Sequence, residues 1–162
     1  ILHLHTVPES GGDTLFSSMY AAYDALSDTM KAILDPLTGV HESAHIYRGR
    51  YEAVGGGLRR TDFPRAEHPV IRTHPVTGRK GLYVNASFTT GIKELNPKEG
   101  RALLGFLFEH VKNPLFQCRF RWQANSIAFW DNRCVQHLAM WDYFPDVRSG
   151  IRVTVQGDKP FH

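Results

Sequence analysis

Between Phe116 and Trp122 the chain alternates without a break. Phe116, Cys118, Phe120 and Trp122 are apolar, while Gln117, Arg119 and Arg121 are polar. A period of two predicts a strand with one buried face. The same period returns in "GIRVTVQG", where Ile151, Val153 and Val155 oppose Arg152, Thr154 and Gln156. "SIAFW", after a turn at Ala124-Asn125, reads as another short strand. Residues 1–7 are β-like and stop at the turn-forming "PESGGDT". "HPVTGRKGLYVN" predicts a hairpin across Thr77-Gly78, with Leu82 to Val84 opening its return strand.

Two stretches carry a helical period instead. Over 97–112, Asn96 is a good N-cap, Pro97 suits the first helical position and Glu99 stands three after the cap. Leu103, Leu107 and Val111 line one face, with Leu104 and Phe108 beside them. Over 17–35, Met19, Ala22, Tyr23, Leu26, Met30 and Ile33 fall near helical spacing. Short strands with two helices between them predict an α+β, mainly β fold, its strands forming a sandwich or barrel. The connection around 48–66, with "VGGGLRR" at 54–60, reads as a flexible lid or loop.

Composition narrows the class. With 162 residues, 42% hydrophobic and 12% aromatic, the chain fits one globular domain with a real core. The net charge of +3 is spread out. The densest basic group, Arg48, Arg50, Arg59, Arg60 and Arg65, is broken by acids and glycines and reads as a solvated loop, so no nucleic-acid partner is expected. No run approaches the roughly 18 apolar residues of a membrane span. Cys118 and Cys134 lack ligand spacing and read as small buried hydrophobes in a reducing, cytoplasmic setting. The chain opens on "ILHLH", with neither an initiator Met nor a signal pattern, and this predicts a fragment cut in mid-sheet.

Nine histidines invite metal hypotheses. His3 and His5 could share one strand face. His41 and His45 read as ordinary hydrogen-bonded residues, His68 and His74 as loop residues before prolines, and His110 as a cation helping the end of its helix. His137, in "FWDNRCVQHLAMWDY", stands out by two arginines downstream: Arg148 eleven residues on and Arg152 four further. A strand through 148–156 would put Arg148, Arg152, Thr154 and Gln156 on one face. In an open sheet that face is simply the wet side. Inside a barrel, the arginines demand anionic partners, for example a dicarboxylate held bidentately.

Taken in order, "GGDTLF", "YAAYDALSD", "EHPVIRTHPVTGRKGLYVN", "SFTT", "FLFEHV", "FQCRFRW", "IAFWDNRCVQH", the Tyr143–Arg148–Arg152 spacing and "GDKPF" resemble the taurine dioxygenase family. The resemblance runs from about Leu4 to Phe161, as the C-terminal two-thirds of such a chain. It implies an Fe(II)- and 2-oxoglutarate-dependent dioxygenase with a double-stranded β-helix (jelly-roll) core and flanking helices. Such enzymes hold iron with two histidines and one carboxylate. By this resemblance His137 is an iron ligand, Arg148 and Thr14 hold the far carboxylate of 2-oxoglutarate, and Arg152 meets the anionic group of the substrate. Tyr47 and Phe88 correspond to aromatic walls of the substrate pocket, and Asp131 or Asn132 helps order the loop beside His137.

The family's HxD or HxE pair is absent: no histidine here has a carboxylate two positions later. The resemblance places that pair upstream of Ile1, so the chain supplies one iron ligand of three. For the intact protein it implies oxidative decarboxylation of 2-oxoglutarate to succinate and CO2, coupled to hydroxylation of a small anionic substrate by O2. Taurine, another alkylsulfonate, a sulfate ester and a carboxylate all stay open. Family members are commonly homo-oligomers. The competing expectation is a non-catalytic β-barrel fragment or module. A nucleic-acid or sugar-binding sandwich ranks last, because the aromatics sit at strand-core spacing.

Overall fold

In the computed structural model the described residues are 1–47 and 63–162. Eleven strands and four α-helices are assigned among them. β1 (Leu2–Thr6) is the centre of one antiparallel sheet, between β9 (Ser126–Ala128) and β11 (Ser149–Arg152). β2 (Thr14–Ser18) is the centre of a second, between β8 (Gln117–Phe120) and β10 (Val135–Ala139). β3 (Thr38–Glu42) lies between β4 (Arg65–Pro69) and β7 (Thr89–Ile92), and β5 (Ile71–Thr73) pairs with β6 (Lys80–Leu82). The result is mainly β, as expected, but its strands form small separate sheets and no closed barrel among the described residues.

The hairpin forms across Gly78, whose φ of 67° is the left-handed conformation such a turn requires. The helix expected over 97–112 is α4 (Pro97–His110), closed at its start by a capping box in which Asn96 accepts from Lys98 and Glu99 while Glu99 reaches back to the Asn96 N–H. It buries Gly100, Leu104 and Leu107. The 17–35 stretch is not one helix. It breaks into α1 (Met19–Asp24), capped by Ser18, and α2 (Asp28–Leu34), capped by Ser27, because each serine side chain takes up a helix-start N–H that an unbroken helix would leave to the backbone. α3 (Ala44–Tyr47) is a single turn.

The main core packs Met19, Ala22, Leu34, Ile71, Leu82 and Leu107 between the helices and the hairpin. A smaller core of Leu4, Trp122 and Ala128, flanked by Phe16, Phe120 and Trp130, lies between the first two sheets. It is this second core that carries the candidate site.

Several expectations need correcting. The C-terminal strand is assigned over Ser149–Arg152 and not to residue 156, although Val153 still exchanges two backbone hydrogen bonds with Ile1 at 3.0 Å each. Val153 and Val155 are exposed, and Arg148 precedes the strand. Cys118 is exposed and Cys134 half-buried, so neither is a fully buried hydrophobe. His68 belongs to β4 and not to a loop, while His74 follows β5 and is buried. Residues 48–62 of the expected lid lie outside the described residues; Arg65 and Ala66 open β4, where Arg65 pairs with Glu42 at 3.1 Å. No described helix is long and apolar enough to cross a membrane.

Candidate functional site

The "GGDT" turn delivers Thr14 to the start of β2. Gly11 and Gly12 have φ of 77° and 70°. A Cβ on Gly11 would lie 2.8 Å from two oxygens of Asp142, and one on Gly12 would lie 3.1 Å from Arg148 Cδ. The Gly12 N–H donates to Asp142 Oδ1 at 2.7 Å. Glycine is therefore needed for both conformation and space, and the turn folds directly against Arg148.

Thr14 is 2% exposed. Its Oγ1 accepts from Trp122 Nε1–H at 3.0 Å and from Arg148 Nη2–H at 3.2 Å. The Arg148 guanidinium also lies 5.4 Å from the centre of the Trp122 ring, in cation–π range. Thr14 and Arg148, expected to act together, are brought together. Arg148 Nε is buried and has no partner, and no carboxylate pairs with Arg148 among the described residues. Arg72, Arg119 and Arg133, by contrast, each hold a carboxylate.

His137 stands opposite Phe16 on the β2–β10 ladder, and Thr14 stands opposite Ala139. Directly paired residues share a face, so Thr14, Phe16 and His137 lie on one side of this sheet. The His137 ring packs against Trp130 at 4.9 Å and Phe16 at 6.3 Å. Desolvation by this packing, then the nearby Arg152 charge, push its pKa below the ordinary value, although part of the residue is exposed. A neutral imidazole is the form that ligates a metal. An open cleft of about 660 Å3 is lined by His137, Arg152 and Phe88, and Tyr47 stacks on Phe88 at 6.3 Å. Thr14 and Arg148 do not line this cleft; they are tied to His137 through the β2 ladder.

A polar network was not foreseen. His74 Nδ1 accepts from the Val76 and Thr77 N–H groups at 3.3 and 3.2 Å, so its proton sits on Nε2 and is donated to Asp131 Oδ2 at 3.1 Å. Arg133 grips the same carboxylate through Nε at 2.9 Å and Nη2 at 2.7 Å, holding it well below the usual carboxylate range. Asp158 then bridges Arg133 and Arg72 at 3.3 and 2.6 Å. The network ties the hairpin and the C-terminal tail to the loop that leads into β10. The resemblance marks Asp131 or Asn132 as ordering this loop, and it is Asp131 that does so; neither that nor the Asp131–Arg133 spacing reveals the partners from distant segments. Donor atoms of His74, Asp131 and Cys134 also lie within 4.8 Å of one another. Because the Nε2 proton and Asp131 are already committed, the trio reads as a hydrogen-bond junction. No group of three such residues includes His137 among the described residues.

The model of the taurine catabolism dioxygenase TauD, TfdA family matches residues 1–154. A Schizosaccharomyces pombe protein provisionally named an alpha-ketoglutarate-dependent sulfonate dioxygenase is 44% identical over 158 residues, covering 96% of this chain and 40% of its own length. The crystal structure of a taurine dioxygenase from Burkholderia xenovorans is 38% identical with a TM-score of 0.80, covering 98% of this chain and 53% of that one. The structure of AAD-2 in complex with Mn(II) and N-oxalylglycine is 33% identical with a TM-score of 0.82, covering 98% of this chain and 63% of that one. The chain thus spans about half the length of the proteins it matches. With its fold, its "GGDT" turn and its family match in agreement, the chain belongs to the TauD, TfdA dioxygenase family.

Proposed function

We propose that this chain forms the 2-oxoglutarate-binding part of an Fe(II)-dependent dioxygenase that hydroxylates a small anionic substrate, an alkylsulfonate such as taurine first among them. One observation carries the reading: Arg148 is half-buried with no anionic partner among the described residues, and its Nε is orphaned beside the Thr14 hydroxyl. An uncompensated guanidinium is costly unless an anion completes it. A carboxylate fits, because it only accepts hydrogen bonds and suits the planar fork of arginine. N-oxalylglycine, seen in AAD-2, carries the same pair of end carboxylates as 2-oxoglutarate.

In this reading Arg148 and Thr14 orient the far carboxylate, and His137, neutral and held by Phe16 and Trp130, is one iron ligand. The other two ligands come from outside the described residues. Bound iron supplies the activation of O2, coupled to oxidative decarboxylation of 2-oxoglutarate to succinate and CO2. Arg152, exposed beside His137, attracts the anionic end of the substrate, while Phe88 with Tyr47 walls its apolar part. An α-hydroxylated sulfonate then falls apart to an aldehyde and sulfite. The double-stranded β-helix, the cytoplasmic setting and homo-oligomeric assembly belong to the same reading.

That no described group of three metal-ligating residues includes His137 favours the alternative, a non-catalytic module, for the chain on its own. Calorimetry with 2-oxoglutarate tests the dock. Binding that R148Q weakens by roughly 2–4 kcal/mol supports it, whereas binding indifferent to R148Q refutes it. Succinate release with taurine then separates enzyme from module.

A further inference from the structure

Trp122, two residues beyond the end of β8, is 6% exposed, yet its one polar atom is spent on Thr14. A hydroxyl has two lone pairs and one hydrogen. At Thr14 Oγ1, the indole Nε1–H arrives at 3.0 Å and the Arg148 Nη2–H at 3.2 Å. Neither group can accept in return. With both lone pairs engaged, the Thr14 hydrogen has to point elsewhere, and no acceptor faces it among the described residues. Arg148 Nε–H is likewise buried and unmatched.

We propose that Trp122 is a positioning residue of the 2-oxoglutarate dock: its indole N–H makes Thr14 an obligate donor, and its ring face holds the Arg148 guanidinium. Two hydrogens, Thr14 O–H and Arg148 Nε–H, are thereby kept for a ligand that only accepts. The inference rests on the 2-oxoglutarate reading and adds a specificity to it. A terminal carboxylate is favoured over the corresponding amide, whose NH2 would meet two donors.

The test is calorimetric titration of the full chain with 2-oxoglutarate, comparing native, W122F, T14V and the double variant. Phenylalanine keeps an aromatic face for Arg148 and removes the N–H together with part of the ring, a packing loss that the T14V background carries equally. Loss of one neutral hydrogen bond predicts a roughly five- to tenfold weaker Kd for W122F. In the T14V background, the same change should alter Kd by less than about twofold, as residues acting through one group do. A purely structural role would lower Tm while leaving Kd alone, or would weaken binding equally in both backgrounds; either result overturns the inference. If R148Q abolishes binding and W122F does not affect it, the inference fails and the dock stands. If the native chain binds no 2-oxoglutarate, the dock itself fails and the inference with it. Should W122F not fold, the indole N–H resonance of Trp122 decides. It must move on addition of 2-oxoglutarate in the native chain and stay still in T14V, and an unmoved native resonance overturns the proposal.

Discussion

Arg148 and His41 make opposite demands on their surroundings. Arg148 has a buried Nε–H without a partner and no carboxylate beside it among the described residues. His41 gives its charge up: burial, then the neighbouring His68, lowers its pKa from 6.5 to about 4. Its Nε2 and His68 Nδ1 are buried without partners, and His68 is lowered as well, first by burial. The native state therefore resists protonation that the unfolded chain accepts below pH 6.5. Stability is full above that value and declines as pH falls toward 4. For His41 the decline is about 2 kcal/mol after discounting for partial exposure. Urea unfolding at pH 7.5 and pH 5 should show it, and H41Q should flatten the difference. At this scale the sequence was uneven. Resemblance pointed to Thr14 and Arg148, but alternation in "FQCRFRW" could only place Trp122 on the buried face. A period states which way a side chain points, not which atom it meets.

Elements were most legible where their determinants are local. The capping box of α4 and the Gly78 turn lie within a few residues of the structure they control, and both formed as expected. N96A should therefore cost about 1 kcal/mol, measured as a lower denaturation midpoint with an unchanged slope. Where a distant segment decides, local pattern fails. The pairing of β11 is set by β1, more than a hundred residues away, which the alternation around Arg152 does not reveal. The loop ahead of β10 is likewise fixed from afar, by His74 of the hairpin and Asp158 of the tail, both gathered by Asp131 and Arg133. D131A leaves Arg133 and His74 without their carboxylate. It should destabilise by about 1–2 kcal/mol, since the group is partly exposed, and should lower Tm measurably.

At the scale of the molecule, the strands expected to form a sandwich or barrel form small sheets among the described residues, and one of these carries exposed apolar residues. Ile127 and Ile151 flank His3 across β9, β1 and β11, at 64% and 62% exposed. Trp141 and Phe144, between β10 and β11, are 81% and 87% exposed. Apolar surface of this kind seldom stays in water on a monomer. The isolated chain should bind a dye such as anilinonaphthalene sulfonate while folded and self-associate as concentration rises; sedimentation and dye titration check both. Strand alternation could not show this, because a solvent-facing and a covered apolar row read alike.

β2 has a consequence for how this protein can change over generations. It lies between β8 and β10, so Thr14 and His137 are spaced by rungs of backbone rather than by the 122 residues that separate them along the chain. Surface connections can lengthen or shorten without moving the two groups apart. A single residue inserted between β10's first rung, Val135 with Ser18, and His137 would turn the imidazole to the opposite side of the sheet. The spacing of the site is thus tolerant of drift in its loops and closed to insertions and deletions in three short strands.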